Sequence, residues 1–297
     1  MRRIATVLAV SLLAAAMAVV TAGPAAAKVT PPTANGHAIK TTPYVALGDS
    51  YSSAAGVAPF VAGAPATCSR SQLNYAHDIA AQTKPASFTD VTCSGAKTSD
   101  FFSPQAAGVA PQLDAVTKDT RLVTMTIGGN DGNVFADSFF GCAAISSADI
   151  MGNPCEQKYG STFTDAIVNQ TYPNVVAALM AARKKAPAAT IVILGYPTIL
   201  PETGELSCYP SMPISMGDVP WLYHEQEVLN GVIRKAALQT GARFIDMAPS
   251  SAGHDACQPA DQRWIEPEIG PVGAFPVHPN ATGEAAMATQ TLAQLGK

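Results

Sequence analysis

The chain has 297 residues, 47% of them hydrophobic and only 13% charged, with 23 glycines and 23 prolines. That balance supports a packed core and excludes a disordered chain, which needs low hydrophobicity and high charge. A formal net charge of −4 at pH 7 offers no basic field to a polyanion, so no nucleic-acid partner is expected.

Residues 1–27 have the layout of a signal peptide: Arg2 and Arg3, an apolar stretch from Ile4 to about Val20 interrupted by Thr6 and Ser11, then small residues at Ala25, Ala26 and Ala27. Cleavage is expected near Ala27. No later segment approaches the roughly 20 apolar residues needed to span a bilayer, so the mature protein is expected outside the cell without stable membrane insertion. Residues 28–297 hold no linker, repeat or charge block and are expected to form one domain, in solution as a monomer. Six cysteines remain in it, at 68, 93, 142, 155, 208 and 257. In an exported chain an even count favours disulfides, and without a CxxC pair neither a redox motif nor a zinc ribbon is supported; the spacing leaves the pairing open.

Apolar runs bounded by Gly or Pro recur at 44–47, 88–92, 122–127, 191–194 and 244–247, the length of buried strands. Helical patterns alternate with them. The clearest covers 163–185, with Ile167, Val175, Val176, Leu179 and Met180 on one side, Arg183, Lys184 and Lys185 in the last turn, and Pro187 beyond; Pro173 is expected to kink or divide it. Further helices are expected at 219–239 and 281–295, the last capped by Asn280. Alternation of this kind predicts an α/β fold: a single-domain three-layer sandwich with a central parallel sheet of about five strands and helices on both faces.

In such sheets ligands sit beyond the carboxyl ends of the strands, and reactive side chains follow several of them. Strand one ends in Gly48-Asp49-Ser50, strand two runs into Cys93-Ser94-Gly95, strand three ends in Gly128-Gly129-Asn130-Asp131, and His278-Pro279-Asn280 precedes the last helix. A serine hydroxyl is a weak nucleophile until a base takes its proton, and the negative oxygen it creates needs donors. Ser50 and His278 supply the first pair. The Ser50 and Gly95 N–H groups and the Asn130 amide supply an oxyanion hole. Asp49 is read as structural, and Ser50 alone would equally suit a helix cap.

Together these blocks resemble the SGNH (GDSL) hydrolases, and the match in order runs from about residue 44 to the end of the chain. Cys68-Ser69-Arg70-Ser71 with Tyr75, and Cys93-Ser94-Gly95-Ala96, are similar to the secreted, three-disulfide actinobacterial lipases and esterases. The resemblance implies a serine esterase or lipase acting on lipid-like acyl esters through an acyl-enzyme, with no metal and no organic cofactor. It also implies neighbour disulfides, Cys68–Cys93, Cys142–Cys155 and Cys208–Cys257. One departure stands out. The family usually carries Asp three residues before its histidine, whereas this chain reads Phe275-Pro276-Val277-His278. A Ser50–His278 dyad is therefore expected, with the Phe275 backbone carbonyl orienting the imidazole; Asp246, Asp255, Asp261, Glu266 and Glu268 are the alternative acids.

Phe101, Phe102, Phe135, Phe139 and Phe140 cluster near the second and third strand ends as candidates for an acyl pocket or for core packing. Alternatives on the same scaffold are a sugar O-acetyl esterase, a phospholipase, or a lipid- or glycan-binding module without catalysis.

Overall fold

Five short strands form one parallel sheet: β1 Pro43–Ala46, β2 Ser87–Asp90, β3 Leu122–Met125, β4 Thr190–Leu194 and β5 Arg243–Ile245. The computed structural model describes residues 42–296, and the signal-peptide expectation for 1–27 lies outside them. Their spatial order, β2-β1-β3-β4-β5, makes the chain reverse direction across the sheet between β1 and β3. At that reversal the loops leaving the two strands diverge to opposite sides and open a crevice at the carboxyl edge.

The helices are α1 Ser50–Ser53, α2 Tyr75–Thr83, α3 Val134–Ser146, α4 Pro154–Tyr159, α5 Thr162–Ala166, α6 Tyr172–Lys185, α7 Val219–Thr240, α8 Ala248–Ser251 and α9 Ala281–Gln294. Side chains alternate across each strand, which fixes the two flanking layers. Tyr44, Ala46, Leu122, Val192 and Leu194 face α2 and α9, where they meet Tyr75, Ile79, Met287 and Leu292. Val45, Val123, Met125, Ile191 and Ile193 face the opposite layer and meet Val175, Leu179, Leu229 and Ile233 of α6 and α7. With both faces covered β3 is buried at every position and apolar except for Thr124, while β2, at the edge, alternates between half-buried and exposed positions.

The strands end slightly earlier than the apolar runs suggest. Leu47, Ile127 and Met247 stay fully buried beyond these strand ends, and between β1 and β3 the hydrogen bonds continue, from the Leu47 N–H to the Thr124 carbonyl and from the Asp49 N–H to the Thr126 carbonyl. The helical pattern at 163–185 divides as expected: a π-turn at Ile167–Thr171 separates α5 from α6, and Pro173 sits in the first turn of α6, where its missing N–H costs nothing. α7 and α9 match the expected helices, with Asn280 accepting the Gly283 N–H as the cap of α9. The sequence pattern did not reveal α2 and α3.

All six cysteines are paired, Cys68–Cys93, Cys142–Cys155 and Cys208–Cys257, as the family resemblance implied. The first ties the 57–73 loop to the segment entering the Gly95 turn, and the second clamps α3 to α4. Among the described residues, no helix is long and apolar enough to cross a membrane.

Candidate active site

The turn after β1 is built around Gly48. Its φ of +129° is closed to other residues, and a Cβ there would lie 2.3 Å from Ser52 Oγ and 2.5 Å from the Thr126 carbonyl oxygen. Gln112 clasps the same peptide from both sides, accepting the Gly48 N–H at 2.7 Å and donating to its carbonyl at 2.9 Å. Asp49 then caps α1 by accepting the Tyr51 N–H, which leaves Ser50 as the first helical residue, 6% exposed. The small residues after it let this single turn lie against the sheet: Ser52 Oγ bonds Thr126 Oγ1 at 2.7 Å and accepts the Thr126 N–H at 2.8 Å. α1 is thereby fastened to the end of β3.

Asp49 is buried and fully engaged. It accepts from Thr126 Oγ1 at 2.6 Å, from the Tyr51 N–H and from the Tyr196 hydroxyl. Burial pushes its carboxyl up to about 6, and these hydrogen bonds act against that rise. The expected structural role of Asp49 fits this geometry.

Gly95 lies in a turn that starts where the Cys93 N–H donates to the Gly48 carbonyl, so the second loop is anchored on the first. Its φ is +75°, and a Cβ would meet nothing nearer than Gln105 Nε2 at 3.8 Å. Backbone conformation, and not crowding, demands glycine here. Asn130 follows the third strand, half-buried, and its Nδ2 donates to the Ala96 carbonyl at 3.1 Å. An amide nitrogen carries two hydrogens, so that bond orients the side chain and leaves the second N–H for a ligand. Asp131 completes the joint, accepting from the Thr98 N–H at 2.9 Å and the Thr98 hydroxyl at 2.6 Å.

His278 reaches the same edge from the turn before α9. Its Nδ1 lies 2.7 Å from the carbonyl oxygen of Pro276, a group that only accepts, so Nδ1 carries the proton and Nε2 presents its lone pair. This corrects the expectation for Phe275, whose carbonyl accepts the backbone N–H of His278 at 3.2 Å instead. The reason is the conformation of Val277. With φ at +62° it folds the peptide back so that the carbonyl two residues upstream, not three, meets the ring. A β-branched residue in that region is an outlier, and neighbours hold it there: the Val277 carbonyl accepts the Tyr51 hydroxyl at 2.6 Å, and its N–H donates to the Glu266 carbonyl at 2.9 Å.

Among the described residues no carboxylate reaches the imidazole. Asp246 pairs with Arg234, Glu266 with Arg263, and Asp255 accepts the Cys257 N–H. Instead the half-buried ring is flanked by Tyr51, Phe135 and Phe275, with centroids at 5.1, 5.8 and 6.4 Å. Its burial pushes the His278 pKa down to about 4, opposed by the Pro276 carbonyl.

Of the five phenylalanines, only Phe135 touches both His278 and Tyr51. Phe139 packs behind it at 5.1 Å, Phe101 is fully buried, and Phe102 and Phe140 are exposed. Sequence reasoning missed Tyr196, whose hydroxyl accepts the Gly129 N–H at 2.9 Å while donating to Asp49. It lies two residues beyond β4, a strand-end position like those of the other site loops, but a lone tyrosine after Gly195 carries no reactive signature.

A parallel sheet with serine, glycine and asparagine loops at its β1–β3 crevice, and histidine arriving before the last helix, defines the α/β ester hydrolases of the SGNH type. Residues 46–286 match the GDSL-like lipase/acylhydrolase family, and the chain belongs to it. It is 46% identical to Lipase 2 of Streptomyces coelicolor over 294 residues, covering 98% of this chain and 96% of that one. Among solved structures it is similar to phospholipase A1 from Streptomyces albidoflavus, with a TM-score of 0.70 and 29% identity over 86% of this chain and 98% of the other. An extracellular lipase from Streptomyces rimosus gives the same TM-score and identity, over 86% of this chain and 100% of the other. The chain is accordingly a hydrolase of carboxylic esters.

Proposed function

We propose that the protein is an exported serine esterase or lipase that cleaves lipid-like acyl esters with a Ser50–His278 dyad. Ser50 Oγ attacks the ester carbonyl carbon while His278 Nε2 takes its proton. The carbonyl oxygen becomes an oxyanion held by the Ser50 and Gly95 N–H groups and the free Asn130 N–H. His278 then returns the proton to the departing alkoxide, leaving an acyl-enzyme and a free alcohol. Water, deprotonated by the same Nε2, attacks the acyl carbon, and the carboxylic acid leaves as Ser50 recovers its proton. No metal or organic cofactor enters these steps, because side chains and backbone dipoles supply each of them.

The observation that carries this reading is the Nδ1 contact with Pro276, which sets the tautomer a general base needs without a carboxylate. Three disulfides, together with the signal-peptide layout of residues 1–27, support export. The exposed rings of Phe102 and Phe275, on the Gly95 and His278 sides, and the lipase and phospholipase names of the relatives support a lipid-like substrate.

Intact mass after treatment with a fluorophosphonate tests the chemistry. One adduct on Ser50, absent from Ser50→Ala, is expected; no adduct on the folded, disulfide-intact protein would favour a binding module. A panel of acyl glycerides, phospholipids and acetylated sugars then separates lipase, phospholipase and sugar esterase.

A further inference from the structure

We infer that Tyr196 is a positioning residue for ester hydrolysis, whose single hydroxyl locks the turn carrying Ser50 to the loop carrying Asn130. This rests on the reading of Asn130 as an oxyanion donor. The phenol uses both of its hydrogen-bonding functions within the site: it donates to Asp49, the residue before Ser50, and accepts the N–H of Gly129, the residue before Asn130. It is 2% exposed, and its ring lies edge-on to Tyr51 at 5.1 Å.

The base of this lever is rigid. The Tyr196 N–H donates to Asn230 Oδ1 at 2.8 Å, and its carbonyl accepts from Asn230 Nδ2 at 2.9 Å, so one side chain of α7 grips both sides of the residue. Gln226, one turn earlier, donates to the carbonyls of Tyr196 and Pro197. The loop that the hydroxyl restrains is held on its outer side, where the Asp131 N–H donates to the Gly128 carbonyl and the Phe135 N–H to the Gly129 carbonyl, both at 3.1 Å, and Asp131 accepts from Thr98. The Tyr196 hydroxyl holds the side that faces the Ser50 turn. After Thr126, the last residue bonded to the Ser50 turn, the chain passes through Gly128 at φ +115° and Gly129 before it reaches Asn130. Consecutive glycines leave a backbone with many accessible conformations, and the hydrogen bond on the Gly129 N–H helps to select one. The fit is close: a Cβ at Gly129 would sit 3.1 Å from both Cζ and the hydroxyl of Tyr196.

Without the hydroxyl, the buried Gly129 N–H has no acceptor and the loop relaxes toward another partner, carrying Asn130 with it. The ester still binds. What suffers is the donor geometry that matters only when the carbonyl oxygen becomes negative, so the loss falls on kcat and not on KM.

The test compares wild type, Tyr196→Phe, Asn130→Ala and the double variant on a p-nitrophenyl ester, with folding followed by circular dichroism. Removing an oxyanion donor outright typically costs about 10²–10³ in kcat, so a misplaced donor is expected to cost roughly tenfold with KM within about twofold. In the Asn130→Ala background the same Tyr196→Phe change is expected to cost less than about threefold, since the donor it positions is gone and only its bond to Asp49 remains to be lost. A merely structural tyrosine gives equal losses in both backgrounds, which would overturn the inference, as would an unchanged kcat in Tyr196→Phe. Should Tyr196→Phe not fold, Gly129→Ala presses on the same contact while keeping the hydroxyl, and its kcat is expected to fall with the same dependence on Asn130. A wild-type protein inert to esters and to fluorophosphonate would overturn the serine-esterase reading itself, an outcome distinct from an active wild type with an unaffected variant.

Discussion

The imidazole of His278 donates through Nδ1 to the backbone carbonyl of Pro276, 2.7 Å away and two residues earlier in the chain. A neutral acceptor fixes the tautomer but adds no negative charge, so its dipole only partly offsets the burial that disfavours imidazolium. General-base activity needs the neutral ring, present above the pKa and lost as pH falls through it. With that pKa near 4, kcat/KM is expected to hold through pH 5 to 6 and to fall on an acid limb close to 4. The pH dependence of fluorophosphonate inactivation checks it. An acid limb at the ordinary histidine value of about 6.5 would show that a charge or water reaches the ring.

The glycines of the site differ in what they tolerate. Gly95→Ala meets open space and carries only the left-handed backbone penalty, about 1–2 kcal/mol, so it is expected to fold with a lowered Tm and reduced kcat. Gly48→Ala drives a Cβ into Ser52 and the Thr126 carbonyl and is expected to yield no folded protein. Thermal melts and soluble yield of the pair decide it.

Glu225 gives stability a particular pH dependence. It is 5% exposed on α7 with Oε2 unpartnered, beside a small cavity bounded by Phe135, Phe139 and Tyr196. Burial raises its pKa to about 8, with Ser138 acting in the other direction. An acid whose folded pKa lies above its unfolded value binds more protons when folded. Stability therefore falls as pH rises from about 4.3 toward 8, by at most about 1.4 kcal/mol per pH unit across that window. Glu225→Gln is expected to make the fall of Tm between pH 5 and 9 shallower, the buried acids Asp49 and Glu284 keeping a remaining slope, and to exceed wild type at the alkaline end. Identical profiles would mean that Glu225 ionises freely in the folded protein.

Cys68–Cys93 anchors the chain directly before Gly95, where the Ser94 N–H also donates to the Cys68 carbonyl. Replacing both cysteines by alanine is expected to cost about 2–4 kcal/mol in urea unfolding and to lower kcat at temperatures where the protein is still folded. The Cys142–Cys155 pair joins α3 to α4 and does not anchor that turn, and its removal is expected to lower stability without the kcat loss.

The inner strands were legible because both of their faces are covered: β1, β3 and β4, buried on two sides, become apolar runs, while the edge strands β2 and β5 were marked by shorter, mixed runs in the same alternation with helices. α7 and α9 were legible through periodicity and the Asn280 cap. α2 and α3 were not, since neither carries a periodic pattern strong enough to stand out from its surroundings. The same logic divides the candidate site. Ser50, Gly95, Asn130 and His278 could be read because each belongs to a short local block at the end of a strand or the start of a helix, where chain order alone fixes the position. The acceptor for His278 could not. Whether the imidazole meets the carbonyl of Phe275 or of Pro276 depends on Val277 being held in a left-handed conformation by Tyr51 and Glu266, residues 226 and 11 positions away. The junction of Asp49, Tyr196 and Gly129 likewise joins three strand ends that only the parallel sheet brings together. Local blocks name the reactive groups, because their chemistry belongs to the side chain. Tertiary structure decides what each is bonded to, because those partners lie distant in the chain and are met only when the sheet has formed.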